Sequence, residues 1–401
     1  MLRKTVTLIT SGIIAFSIAS CSDDDSATKE LQVEAPADYT FERNGQSTVS
    51  FSGQTTRLNM AEALIADFKN PGTLESTLIN RFAHEEGENN FDDADLNASN
   101  KNLRSKVAAS SDYFSANTVD QTEIRNDFEG WISGQVNNVF PSWNVTASTG
   151  TAGNLQQAGG GTTRYINGKG LEYDQAFTKS MIGALMVDQM LNNYLSESVL
   201  DAGSNRADND AKTLASGKNY TTMEHKWDEA FGYLYGLEPD YKNPELNVDS
   251  FLNKYLSRTV GDNDFADYGN EIYNAFKIGR AAIVAGAYDL RDEQAEIIRK
   301  RVSEIIGIRA VYYLENAAND INSDKAKAFH DLSEGYGFIY SLQFTREPGT
   351  DSPYFTKIEV DNYLDQLMTG NGFWDADPQM LRDMSAEIAA RFEFSVDQAK
   401  N

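Results

Sequence analysis

One stretch of this chain is written twice, and that repetition restricts the fold more than any property of its composition. Residues 225–237 read His-Lys-Trp-Asp-Glu-Ala-Phe-Gly-Tyr-Leu-Tyr-Gly-Leu, and residues 330–342 read His-Asp-Leu-Ser-Glu-Gly-Tyr-Gly-Phe-Ile-Tyr-Ser-Leu. In register, His225 falls on His330, Glu229 on Glu334, Gly232 on Gly337, Tyr235 on Tyr340 and Leu237 on Leu342. The chain has only 3 histidines, so chance is a poor source of this match. A histidine and a glutamate four residues apart project from one face of a helix. Gly232 and Gly236 continue that face in the first copy, leaving a groove for another backbone.

The match extends backwards, pairing Ile182-Gly183 with Ile306-Gly307, Val187 with Val311 and Asn192 with Asn316. The first copy is longer, and the Asp- and Asn-rich loop at 201–219 absorbs the difference. Each unit, about 173–237 and 297–342, is then a long helix, a loop and a His/Glu helix. Duplicated helical units predict an all-α fold of two pseudo-symmetric antiparallel bundles.

Apolar periodicity predicts further helices over 57–69, 73–82, 103–114, 119–140, 171–197, 265–288, 292–320, 357–369 and 378–392. One short strand is expected within 40–52, and flexible loop over 142–170. His84 is expected at an exposed helix end, and the charges at 293–304 on a solvated helix face. Arg309 differs, because it falls among Ile305, Ile306, Ile308, Val311 and Leu314.

Residues 1–20 read as a signal peptide: Arg3 and Lys4, then an apolar run too short to span a membrane. Ile18-Ala19-Ser20-Cys21 resembles the lipobox of bacterial lipoproteins, which implies cleavage before Cys21 and its acylation. Cys21 is the only cysteine, so no disulfide framework is possible. The alternative is an ordinary leader with an incidental cysteine. Ser22-Asp23-Asp24-Asp25 resembles the acidic export tag of Bacteroidetes lipoproteins, or is solvated linker. Residues 21–39 are expected to be an acidic flexible tether to a single body at 40–401. A net charge of −25 argues against nucleic acid and against headgroup binding, so membrane contact is expected through lipid alone.

Three motifs resemble a Bacteroidetes lipoprotein family known as domain of unknown function 4856: Val49-Ser50-Phe51-Ser52-Gly53-Gln54, Gly170-Leu171-Glu172-Tyr173-Asp174-Gln175 and the run from Glu224 to Tyr233. More distantly the chain is similar to imelysin-like proteins. That likeness implies two helical bundles, an envelope location, a link with iron uptake and an outer-membrane receptor as partner. The imelysin signature is Gly-x-His-x-x-Glu; this chain has Met223, His225 and Asp228, with Glu229 one residue on. The second copy has Ala328, His330 and Ser333.

Two His-x-x-x-Glu helices facing each other suit iron or zinc, with His225, Glu229, His330 and Glu334 as ligands and Asp228 as an added carboxylate. Alternatively, each histidine bonds its own glutamate and stiffens the scaffold. An imelysin-type peptidase is less favoured: His-Glu-x-x-His, a serine elbow and a reactive cysteine are all missing, and no catalytic residue is assigned. The expected function is therefore that of a surface lipoprotein binding iron or haem. The alternative is a metal-free structural or interaction lipoprotein recognising a peptide, a glycan or an outer-membrane partner.

Overall fold

A computed structural model describes residues 33–401; Cys21 and the acidic run at 22–25 lie outside the described residues. In chain order the main helices are α1 (Ser52–Asp67), α2 (Glu75–Phe82), α3 (Thr118–Gly134) and α4 (Tyr173–Met181), then α5 (Thr222–Tyr235), α6 (Leu252–Val260) and α7 (Tyr268–Ala285). They continue with α8 (Tyr288–Asp320), α9 (Lys325–Ser341), α10 (Lys357–Met368) and α11 (Pro378–Arg391). The fold is predominantly α. Two antiparallel hairpins supplement it, β1 (Glu42–Arg43) with β2 (Gln46–Ser47), and β3 (Gly153–Gln156) with β4 (Thr163–Ile166). No helix among the described residues is long and apolar enough to cross a membrane.

Local chemistry sets the ends of the repeated helices. Thr221 and Glu224 form a reciprocal capping box at the start of α5, satisfying two backbone donors that a bare helix end leaves unpaired. Asp324 caps α9 by accepting from the Lys327 N–H. Between α7 and α8 the chain turns at Gly286, whose φ of 76° is left-handed.

The two matched glycines both mark close helix crossings. A Cβ on Gly232 would stand 2.5 Å from the Phe51 Cβ, where α5 meets the start of α1. A Cβ on Gly337 would stand 2.4 Å from the Lys179 Cβ, where α9 meets α4. Beyond Met181, α4 runs on through wide π-helical turns at Ile182–Val187 and Met190–Tyr194. Its side chains there join a core that includes Phe128, Phe177, Trp227 and Phe276, all at 0% exposure.

Several local expectations are corrected. Residues 40–52 form a two-residue-strand hairpin, because Asn44 and Gly45 both take left-handed φ, the turn that matches strand twist. Helix α1 then begins at Ser52, so Gly53 and Gln54 lie in its first turn. The helix expected at 103–114 is broken: Ala108 has a φ of 48°, and its N–H donates to the Ala184 carbonyl at 2.8 Å. The loop expected at 142–170 contains the β3–β4 hairpin, held by Tyr165 stacked on Trp143 at 3.5 Å. His84 is buried rather than exposed, with its Nδ1 2.9 Å from the Asn90 amide. Arg299 and Glu304 are also buried, Arg299 donating to the Leu195 carbonyl and Glu304 pairing with Arg301. Tyr39, assigned to the tether, has 0% exposure and stacks on Phe231.

Candidate functional site

The five residues expected to share a metal fall into separate environments. On α5, His225 is half-buried and its ring lies on Tyr220, with centroids 4.6 Å apart. Its Nδ1 is 2.9 Å from the Ser50 carbonyl; a carbonyl only accepts, so Nδ1 carries the proton and donates. Nε2 faces Glu229 at 4.0 Å. Glu229 already accepts from Lys226 at 2.8 Å and Gln54 at 3.2 Å. Burial pulls the His225 pKa below its ordinary value, against the opposing charge of Glu229.

Asp228 points elsewhere. It has no solvent exposure and accepts from Arg280 Nε at 3.1 Å, Tyr39 Oη at 2.8 Å and the Ser50 N–H at 3.1 Å. Arg280 also lies 3.3 Å from Glu224, which Arg43 grips from β1 at 2.9 Å. This network fastens residues 39–50 across α5 and α7. Burial pushes the Asp228 carboxyl up to about 6, although Arg280 works against it.

On α9, His330 repeats the pattern with one change. Its Nε2 faces Glu334 at 3.9 Å, as His225 faces Glu229. Its Nδ1, however, meets the Glu172 carboxylate at 3.1 Å instead of a carbonyl. Burial opposes the charged ring most, yet Glu172 and Glu334 together outweigh it and the His330 pKa rises. Glu334 accepts from Lys179 at 3.2 Å and Tyr255 at 3.1 Å. Despite burial, Lys179 and His330 hold its carboxyl down at about 2.

Iron or zinc does not fit these residues. His225 bonds Ser50 just ahead of α1 and His330 bonds Glu172 just ahead of α4, and each carboxylate is already occupied by a cation or a hydroxyl donor. No group of three or more His, Cys, Asp or Glu among the described residues is placed to hold a metal ion. The shared site expected from His225, Asp228, Glu229, His330 and Glu334 is thus not assembled.

What His330 and Glu334 do line is a cleft. A cavity of about 870 Å³ opens between α6, α8 and α9, bounded by Lys254, Tyr255, Arg309, Tyr312 and Tyr313 along with the His/Glu pair. A second cavity of about 410 Å³ shares Lys254, His330 and Glu334 with it and adds Lys69, Arg164 and Lys179. No aliphatic side chain lines the larger one. Arg309 is 6% exposed; its guanidinium lies 3.9 Å from the Tyr312 ring centre and 4.8 Å from that of Tyr313. Other buried cations have partners: Arg57 donates to the Asn102 carbonyl, Lys277 to the Ala37 carbonyl and Arg280 to Asp228. Arg309 makes no ion pair among the described residues, and its Nε has no hydrogen-bond partner. Three cation–π contacts, each worth up to about 2 kcal/mol when desolvated, offset much of the cost of burying this charge and leave the Nε–H as the group still without a partner.

Sequence reasoning found His330, Glu334 and the anomaly of Arg309, but missed Glu172, Lys179 and Tyr255. Lys179 carried a weaker signal than Arg309: it is the only cation in α4 and stands two residues from both Phe177 and Met181.

A family profile for a domain of unknown function (DUF4856) matches residues 36–395. No curated protein and no solved structure matches the chain. With the profile spanning almost all of the described residues, from ahead of the first hairpin to beyond α11, the chain belongs to the DUF4856 family.

Proposed function

We propose that this protein is a binding component of the cell envelope, anchored through lipid on Cys21, whose cleft between α6, α8 and α9 receives a polar ligand without a metal. The observation that carries the reading is the lining of the 870 Å³ cavity: three tyrosines and many hydrogen-bonding groups, with no aliphatic side chain. Pockets that hold apolar ligands are walled by hydrophobic side chains. A porphyrin would pair its two carboxylates but set its apolar macrocycle against the remaining polar groups, whereas a hydroxyl-rich ligand such as a glycan pairs with them and lays its ring faces on tyrosine. The metal-free reading is therefore preferred to iron or haem acquisition.

Calorimetric titration of residues 21–401 with glycan fragments and with haemin tests it. Glycan binding weakened by Tyr312→Ala is the expected result; haemin binding that depends on His330 would overturn it. For the anchor, Cys21→Ala is expected to release the protein from membranes, and continued partition into the membrane fraction would refute lipidation at this residue.

A further inference from the structure

Arg309 is a buried guanidinium that the chain itself leaves without a counter-charge. Tyr312 covers a face of the group at 3.9 Å, and Tyr313 and Tyr255 close in at 4.8 and 5.7 Å. Rings satisfy the flat faces of a guanidinium; its in-plane N–H donors need acceptors, and a planar fork matches a carboxylate or sulfate. The side chain lines the 870 Å³ cavity, so that is where an acceptor can reach it.

Arg309 is not alone. Lys254, on the wall common to both cavities, also forms no ion pair among the described residues, and burial together with Lys179 pulls its pKa down. Arg164 lines the second cavity, and its Nε is likewise buried without a partner. Of the acids that line the two cavities, Glu334 is engaged by Lys179, Asp331 by Lys327 and Glu62 by Ser250, while Asp174 and Asp262 form no ion pair among the described residues. Against these two acids stand Lys69, Arg164, Lys254, Arg258 and Arg309, none in an ion pair among the described residues, so the excess in this cleft is positive in a protein whose net charge is −25.

We propose that the ligand is an acidic saccharide whose carboxylate or sulfate seats on Arg309 within the tyrosine cage, with Lys254 as the second cationic contact. This rests on the reading of the cleft as a glycan site and adds the charge of the ligand. An acidic protein repels free anions at long range; only a site that pairs them at contact overcomes this, and pairing with a fork selects a compact oxyanion.

The experiment titrates residues 21–401 with glucuronate, glucose 6-sulfate and glucose, and with acetate, sulfate and an acidic peptide. At least one charged sugar is expected to bind ten-fold or more tighter than glucose, with affinity falling as salt rises. Carboxylate and sulfate arms identify which oxyanion is preferred. Arg309→Lys, which keeps the charge and loses the fork, is expected to weaken the charged sugar ten-fold and to weaken glucose far less. Lys254→Met, at a less buried position, provides the same comparison if Arg309 variants do not fold. Equal affinity for glucose and the charged sugars would overturn this inference and leave the glycan cleft standing. Binding of the acidic peptide alone would overturn it in favour of a protein partner. Binding of none of these probes to the folded chain would overturn both.

Discussion

Asp228 and Arg280 meet at 3.1 Å with neither side chain exposed, and between them they hold the entry segment of the body against α5 and α7. Removing one partner of such a pair leaves an unbalanced charge in the interior. Arg280→Met is expected to cost about 3–5 kcal/mol of unfolding free energy. Replacing both, as Asp228→Asn with Arg280→Met, is expected to recover part of that loss. Urea unfolding of Arg280→Met, Asp228→Asn and the double variant decides; a double loss equal to the sum of the two single losses would show that the charges act independently.

The glycine crossings give a test with its own internal control. Gly232→Ala and Gly337→Ala push a methyl into Phe51 and Lys179. Each is expected to destabilise by about 1–3 kcal/mol. Gly130, in the middle of α3, has open space where a Cβ would go. Gly130→Ala is expected to stabilise by about 0.5–1 kcal/mol, since it lowers the freedom of the unfolded chain.

The two histidines have opposite pH signatures. The folded pKa of His330 is raised, so its contribution is complete below the unfolded value of about 6.5 and is lost as pH rises through the folded value. The folded pKa of His225 is lowered, so its contribution is complete above about 6.5 and is lost as pH falls through the folded value. His330→Gln is thus expected to destabilise more in mild acid than in base, and His225→Gln the reverse. Unfolding midpoints on either side of neutrality, with ring-proton titrations by magnetic resonance, check the signs.

Metal dependence separates scaffold from centre. Because Lys226, Lys179 and Arg280 already engage the carboxylates, the melting temperature of the wild type is expected not to change between chelator and added iron or zinc. A rise that both His225→Gln and His330→Gln abolish would restore a shared metal site, since a ligand bound only to the folded state stabilises by mass action.

The helices were legible because a 3.6-residue apolar period survives single-sequence reading, and α5, α8, α9 and α11 lie close to where it put them. The breaks were less so. Ala108 turns left-handed because of a backbone bond to Ala184, a partner that no local pattern reveals. The Asn44-Gly45 hairpin was encoded locally and was overshadowed by the alternation around it. At the site, the His/Glu spacing placed each pair on one face correctly, yet could not say which cation faces it. Lys226 is a sequence neighbour of Glu229, but Lys179 reaches Glu334 from another helix.

The π-helical turns of α4 bear on how the repeat itself is compared. Gly183 and Asn192 stand as far apart in sequence as Gly307 and Asn316, but the first interval contains wide turns and the second is ordinary α-helix. Each wide turn takes up an extra residue per revolution, so equal separations along the chain produce unequal rotations about the axis. The neighbours of the aligned glycines already differ at the start of that interval: Gly183 lies against Ser341 and Gly307 against the Phe392 ring. Angular phase, rather than residue count, is the coordinate in which these two helices are to be matched.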